Sequence, residues 1–430
     1  KTNANVSVIT SKEIKERHYS DLSEALRMVP GVYIGNYAPA GYDNSNALKI
    51  NGADEIVVLV DGVKINNVSN RVSAVMLKNM DNVDRIEVLK GSASTLYGSE
   101  ASTGVINIIT KKKMPNTLSL TKGEYGREKA ALTLNADKLN FAVALEQSDP
   151  MKGYSSNYKQ INDLNKKSFT ASYKFDDKLS FNYMFDKKKY TIDYLGADNS
   201  KLQHFDYDDR EHFAQLHFND QNGFDATAYY NERIIRNPDY YIVRPDNLEW
   251  ERSNHKNYGA DLKKVWQNDK DKVLLAFNTK RELYVDENQK FASFGNSSSA
   301  LKPYARFGSY SLNGYSFYGQ YDRKLSEATD VVLSMREDLI RSDAGNYNAF
   351  LPQLQILTKL DQENSLYANA GRSFRMPTFR QLYYSSGVIL QNPDLKPEYG
   401  WNYEAGYKHD NGKEQFKAAV FHIDLDDQIT

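Results

Sequence analysis

The sequence predicts a membrane all-β fold: an antiparallel transmembrane β-barrel, of which about fifteen strands are present, preceded by a small α/β domain. Three observations carry this. Period-two alternation of apolar and polar residues recurs from residue 114 onward. Short connections alternate with long ones. The texture changes abruptly near Lys113, before which strands and helices mix.

The alternation is explicit in several segments. Leu139, Phe141, Val143 and Leu145 alternate with Asn140, Ala142, Ala144 and Glu146, and Phe169, Ala171, Tyr173 and Phe175 alternate with Thr170, Ser172 and Lys174. Leu179, Phe181, Tyr183 and Phe185 repeat the pattern, as do Trp401, Tyr403, Ala405 and Tyr407. Such repetition means strands with two different environments. Strands are predicted at 116–123, 128–136, 139–147, 166–175, 178–188, 210–218, 223–235, 253–265, 271–284, 313–324, 328–337, 351–360, 363–372, 398–408 and 412–423. The short connections (137–138, 176–177, 219–222, 361–362, 409–411) alternate with long ones (148–165, 189–209, 236–252, 285–312, 373–397), and on the long side only 124–127 is itself short. This is the pattern of tight periplasmic turns and extended outer loops.

Composition bounds the alternatives. The chain has 430 residues, 40% of them hydrophobic, and a mean hydropathy of −0.67. No apolar run approaches the roughly 18–20 residues of a spanning helix, whereas barrel strands average to a polar composition. Tyr (31) and Phe (19) are abundant enough for interfacial girdles, and the lack of cysteine excludes disulfides and thiolate metal sites. A net charge of −1 gives no reason to expect nucleic acid. No signal peptide is visible, and a removed leader is expected.

Residues 1–113 read as the α/β domain. Val6–Thr10 is a strand, Ser11 an N-cap with Glu13 in the first turn, and a helix from Asp21 stops at Pro30-Gly31. Strands follow at 48–50, 56–60, 83–89 and 105–110, with a turn at Asp61-Gly62. The glycine-rich turn 91–104 lacks a P-loop ending, so nucleotide binding is rejected, and no catalytic triad is evident.

The stretch Asp84–Thr110, with its Arg85-Ile86-Glu87 strand and Leu96-Tyr97-Gly98 turn, resembles the end of the plug domain of TonB-dependent outer-membrane transporters. Leu26–Val32 and Val58–Val63 resemble the earlier plug motifs, and Ser373–Pro377 with Asn392–Glu398 resemble paired barrel boxes of these receptors. Ser92 stands where the family usually has Pro. The resemblance implies a plug (1–113) inside a 22-stranded-type barrel (114–430), so about seven further strands are expected on a second polypeptide or lost to truncation. It implies no enzyme but energised uptake of an iron complex, ferric siderophore or haem, across the bacterial outer membrane, with cobalamin as the alternative. A passive porin and a soluble β-rich enzyme are the readings from other classes. The implied partners are the TonB–ExbB–ExbD complex, acting on a coupling box upstream of Lys1, and outer-membrane lipid.

Candidate binding residues follow from residue chemistry. Tyr37, Tyr42, Asn44 and Arg71 lie in two plug loops suited to a flat polar ligand. Arg236, Tyr240, Tyr241 and Arg244 combine charge with stacking, as do Tyr304 and Arg306. Between the boxes, where haem receptors place an axial His, stand Tyr383 and Tyr384; Tyr can ligate haem iron, but the missing His lowers the haem reading. Arg85 and Glu87 share a strand face, and the resemblance makes them a plug–barrel lock. No cofactor is expected. Asp193, Asp198, Asp206, Asp208 and Asp209 suit calcium chemically, but their spacing favours a solvated acidic loop.

Overall fold

The computed structural model describes residues 5–19, 22–34, 48–52, 56–66, 80–91, 93–99, 101, 103–149, 151–155, 158–161, 164–195, 202–242, 249–289, 305–383 and 392–429. The N-terminal unit runs β1 (Asn5–Thr10), α1 (Ser11–Glu16), α2 (Leu22–Leu26), β2 (Val32–Ile34), β3 (Leu48–Ile50), β4 (Ile56–Val60), β5 (Val63–Lys64), β6 (Val83–Lys90), α3 (Ser94–Tyr97) and β7 (Gly104–Thr110). Its main sheet has the order β1-β6-β7-β4-β5, with β4 and β7 parallel. All five residues of β4 are buried, as expected of a strand covered on both faces. The N-cap of α1 is Thr10, not Ser11: the Thr10 hydroxyl accepts from the Glu13 amide at 3.3 Å.

The wall begins with β8 (Thr117–Lys122), β9 (Glu128–Ala136) and β10 (Leu139–Ser148). A small hairpin, β11 (Met151–Ser155) and β12 (Tyr158–Ile161), follows, then β13 (Leu164–Lys174), β14 (Leu179–Leu195), β15 (Leu202–Asn219), β16 (Phe224–Ile242), β17 (Glu249–Gln267) and β18 (Asp271–Gln289). It continues through β19 (Ala305–Lys324), β20 (Thr329–Ser342), β21 (Gly345–Lys359), β22 (Asn364–Arg375), α4 (Phe379–Tyr383), β23 (Glu398–Asp410) and β24 (Gln415–Asp426). Since β10 pairs directly with β13, and β12 pairs with the outer end of β14, the hairpin prolongs the wall beyond β13 without adding to its circumference, which has fifteen strands among the described residues. The strand order returns from β24 to β8. No paired register joins those two strands among the described residues, and β8 exposes all six of its residues, so the sheet curls into a barrel whose seam is unzipped.

The strand ends at the short turns lie close to the sequence expectation, while the outer ends run further. β14 and β15 reach Leu195 and start at Leu202, and β16 reaches Ile242, all inside what the sequence assigned to loops. Above the hydrocarbon band both strand faces meet water, so alternation fades although backbone pairing continues. The β20–β21 connection is a second short outer turn, at Asp343 and Ala344.

Candidate functional site

The α/β unit lies in the barrel lumen, and its core is completed by the wall. Met184 (β14) and Phe213 (β15) belong to the same buried cluster as Leu22, Leu26, Val58, Ile86 and Ile106. Around that cluster the contact is polar. The Asp61 carboxylate accepts from the Thr110 amide at 2.8 Å and its hydroxyl at 2.6 Å, fixing the β4–β5 turn onto β7. From the wall, Asn182 donates to the same carboxylate at 3.4 Å, and Gln215 donates to the Asp61 carbonyl at 3.3 Å. Burial pushes the Asp61 carboxyl above the usual carboxylate range, and its bonds to Thr110 oppose this. Asn257 donates to the Lys64 carbonyl at 3.1 Å, and Lys129 pairs with Asp81 at 2.7 Å.

The Leu96-Tyr97-Gly98 turn rests on Arg336 of β20. Arg336 donates to the Leu96 carbonyl at 3.4 Å, while Asp338 (2.7 Å) and Ser316 (2.8 Å) orient the guanidinium. Gly98 has φ +79, and a Cβ there would stand 3.0 Å from an Arg336 terminal nitrogen. A Gly98→Ala variant combines left-handed backbone strain of about 1–2 kcal/mol with this close approach. Its expected result is a lower thermal midpoint of the heat-modifiable band and unchanged strand content. An unchanged midpoint would show that the turn does not rest on the arginine. Gly91 (φ +106) likewise leaves room for Glu404, which a Cβ would meet at 2.9 Å.

The two barrel boxes are brought together. Arg375, ending β22, donates to both carboxylate oxygens of Glu398, starting β23, at 3.1 Å, and each side chain is 4% exposed. The next amide, Met376, donates to Ser99 of the plug at 3.0 Å. Between the boxes α4 folds onto an apolar cluster that includes Tyr284, Leu312, Ile340, Leu351, Phe374 and Met376. Tyr310 stacks on Tyr383 with ring centroids 4.3 Å apart and an interplanar angle of 3°. The first box and Pro397-Glu398 of the second thus form a buried clamp joining wall, α4 and the plug turn, while Asn392, Pro393, Asp394 and Lys396 are exposed.

The sequence-predicted site residues fare unequally. Tyr37, Tyr42, Asn44, Arg71, Arg244, Tyr304, Tyr384 and Asp198 lie outside the described residues. Arg236, Tyr240 and Tyr241 fall on strand β16, Arg306 on β19 and Asp193 on β14. Tyr383 belongs to the aromatic stack against β19, an arrangement that gives it a packing partner. Arg85 bonds Glu87 at 2.8 Å and Asp84 at 3.1 Å on its own strand, and no bond from Arg85 or Glu87 to the wall occurs among the described residues. Nor do the aspartates converge. Asp208 and Asp209 are successive strand residues and point to opposite faces; Asp208 pairs with Arg210, Asp209 with Arg233, and Asp206 accepts from Thr191. No group of metal-ligating side chains occurs among the described residues. Four wall residues that bond the plug, Asn182, Gln215, Asn257 and Arg336, were not singled out. All stand on the polar face of their strands, which marks them as lumenal without telling which of them meet the plug.

A curled antiparallel wall with a separate domain bonded into its lumen defines a plugged outer-membrane receptor, not an open pore and not an enzyme. Residues 122–430 match the family model described as TonB dependent receptor-like, beta-barrel, and residues 1–105 match the TonB-dependent Receptor Plug Domain. The chain belongs to the TonB-dependent receptor family, whose members are bacterial outer-membrane proteins. It is 23% identical over 456 aligned positions to the Vitamin B12 transporter BtuB of Vibrio vulnificus (strain CMCP6), covering 99% of this chain and 68% of that protein. It is 36% identical over 117 residues to an Iron-regulated outer membrane virulence protein of Vibrio cholerae serotype O1, covering 25% of this chain and 17% of that protein. Among solved structures, the ferric citrate transporter FecA in its unliganded form shares the fold with a TM-score of 0.73 at 17% identity, covering 98% of this chain and 70% of that one. A mutant ferric enterobactin receptor (PfeA) from Pseudomonas aeruginosa does so with a TM-score of 0.72 at 20% identity, covering 98% and 72%.

Proposed function

We propose that this chain takes up a ferric siderophore across the outer membrane, releasing it inward when the TonB–ExbB–ExbD complex displaces the plug. The observation that carries this reading is the plug itself, which occupies the lumen and is held by packing on Met184 and Phe213 and by polar contacts of modest individual strength, about 0.5–1.5 kcal/mol each. Such a seal blocks passive flow yet yields to a mechanical pull. The domains divide at residues 113 and 114. Outer-membrane lipid surrounds the wall, and the open edges of β8 and β24 accept further strands, from this or a second polypeptide. The names of the relatives support iron complexes as the substrate class, and the binding residues are sought in the outer plug loops around Tyr37, Tyr42, Asn44 and Arg71 and at the rim around Arg236, Tyr240 and Tyr241. Haem is the less favoured iron complex, because Tyr383 is engaged in stacking and the segment between the boxes has no histidine. Calcium is not needed for this reading.

Cobalamin is the second reading, favoured by the alignment with the Vibrio vulnificus BtuB protein along 99% of this chain. Protein extracted from outer membranes is expected to bind a ferric siderophore with about micromolar or tighter affinity in equilibrium titration. Tighter binding of cobalamin than of any ferric siderophore tested reverses the order of the two readings.

A further inference from the structure

The outward face of the wall carries an arrangement that transport leaves unexplained. Asn182, Met184 and Gln215 face the plug, so the odd residues of β14 and the even residues of β15 face outward. In register, Lys167 (β13) stands opposite Lys187 (β14), and Lys187 stands opposite Arg210 (β15). Three cations therefore occupy consecutive cross-strand positions on one face, a pairing that destabilises a sheet. Lys189 adds a fourth in the next row out, opposite Asp208. Asp208 is shared by three of them, at 3.0 Å from Arg210, 3.4 Å from Lys189 and 3.7 Å from Lys187. Asp206, one row further out, accepts from Thr191. Lys167 has no ion pair among the described residues.

The position of this row identifies the anion that would balance it. Immediately toward the short-turn end, the outward residues are Phe169, Phe185 and His212 in register, with the Phe185 and His212 rings 4.9 Å apart between centroids. Below them lie Tyr173, Phe181 and Leu216 on the same outward face. This is the upper edge of the lipid-facing band, where aromatic girdles sit at the interface. The same cross-strand row continues toward the seam as Leu145, Ala130 and Leu120. These line an open groove of about 570 Å³, whose polar margin holds Lys122 paired with Glu128, Lys166 paired with Glu146, and Lys167. The apolar strip Leu120, Ala130 and Leu145, running on from the row of cations, fits an acyl chain with a phosphorylated headgroup over the cations.

We propose that Lys167, Lys187, Lys189 and Arg210 form a binding site for a phosphorylated, acylated lipid of the outer leaflet. Strands spaced about 4.8 Å apart place the first, second and fourth of these roughly 10 Å end to end, enough to engage more than one phosphate. Phosphate oxygens offset the like-charge repulsion that Asp208 alone leaves. The site lies on the outer surface and is independent of which substrate passes through the lumen.

The test uses intact protein purified in lipid-free detergent and bis-phosphorylated lipid A as the probe. Lipid A is expected to bind and to raise the thermal midpoint, and the Lys167→Gln/Lys187→Gln/Arg210→Gln variant to bind it at least about tenfold more weakly. Dephosphorylated lipid A is expected to bind wild type no better than lipid A binds the variant. Inorganic phosphate binding as tightly as lipid A would overturn the assignment to a lipid. Lys167→Gln alone supplies a measurement that does not depend on the triple variant folding. Without lipid it is expected to raise the thermal midpoint by relieving repulsion, and with lipid A to gain less than wild type. Equal gains from lipid A in wild type and Lys167→Gln would overturn the proposal.

Discussion

Replacing Arg375 by methionine is expected to lower the unfolding free energy by about 3–5 kcal/mol, the usual consequence of stranding one member of a buried ion pair. The argument is local. Glu398 would stay 3% exposed at the start of β23, keeping the Ile429 amide as a donor but losing the Arg375 charge, and burial penalises a carboxylate that has lost its counter-charge far more than a neutral group. The double variant Arg375→Met/Glu398→Gln removes both charges and is expected to recover a large part of the loss, because the pair itself costs desolvation. Urea unfolding of detergent-folded protein, followed by heat-modifiable migration, measures all three. A loss below about 1 kcal/mol for the single variant would mean that water reaches the pair, as it does in exposed ion pairs, and the clamp reading would fall.

This pair shows where sequence was informative and where it was not. Ser373–Pro377 and Asn392–Glu398 stood out as paired boxes, yet spacing alone could not tell that their charged ends meet. Twenty-two residues separate Arg375 from Glu398, and only the antiparallel pairing of β22 with β23 sets them opposite each other. The strands were legible because lipid and lumen impose a strict period of two. Where water replaces lipid above the band that constraint lapses, and β14, β15 and β16 ran on unseen into segments taken for loops. Arg85 and Glu87 show a different case: the residues suit a strand with paired charges, and among the described residues they bond each other. Contacts between plug and wall, such as Gln215 with the Asp61 carbonyl, join residues 154 positions apart. No local pattern records such a meeting, since any polar side chain on the lumenal face would look the same.

The largest functional effect is expected from tying plug and clamp together. The Met376 amide donates to the Ser99 hydroxyl at 3.0 Å, which puts the two residues in direct contact, and a disulfide between Ser99→Cys and Met376→Cys, confirmed by thiol titration, is the tether to use. The chain has no cysteine, so the engineered bridge has no competing partner. Hydrogen bonds of about 0.5–1.5 kcal/mol can be exchanged one by one as the plug moves, whereas a covalent bridge cannot. The oxidised double variant is expected to keep ligand binding within about twofold of wild type while energised uptake falls by at least about tenfold, and reductant is expected to restore uptake because only the bridge holds the plug. Each single-cysteine variant sets the reference uptake, Met376→Cys included because Met376 packs in the buried clamp, which separates the tether from the substitutions. Uptake of labelled ligand by cells, with and without reductant, decides the matter. Near-normal uptake in the oxidised form would show that the Leu96-Tyr97-Gly98 turn stays on the wall throughout transport, and that substrate passes by movement of another part of the plug.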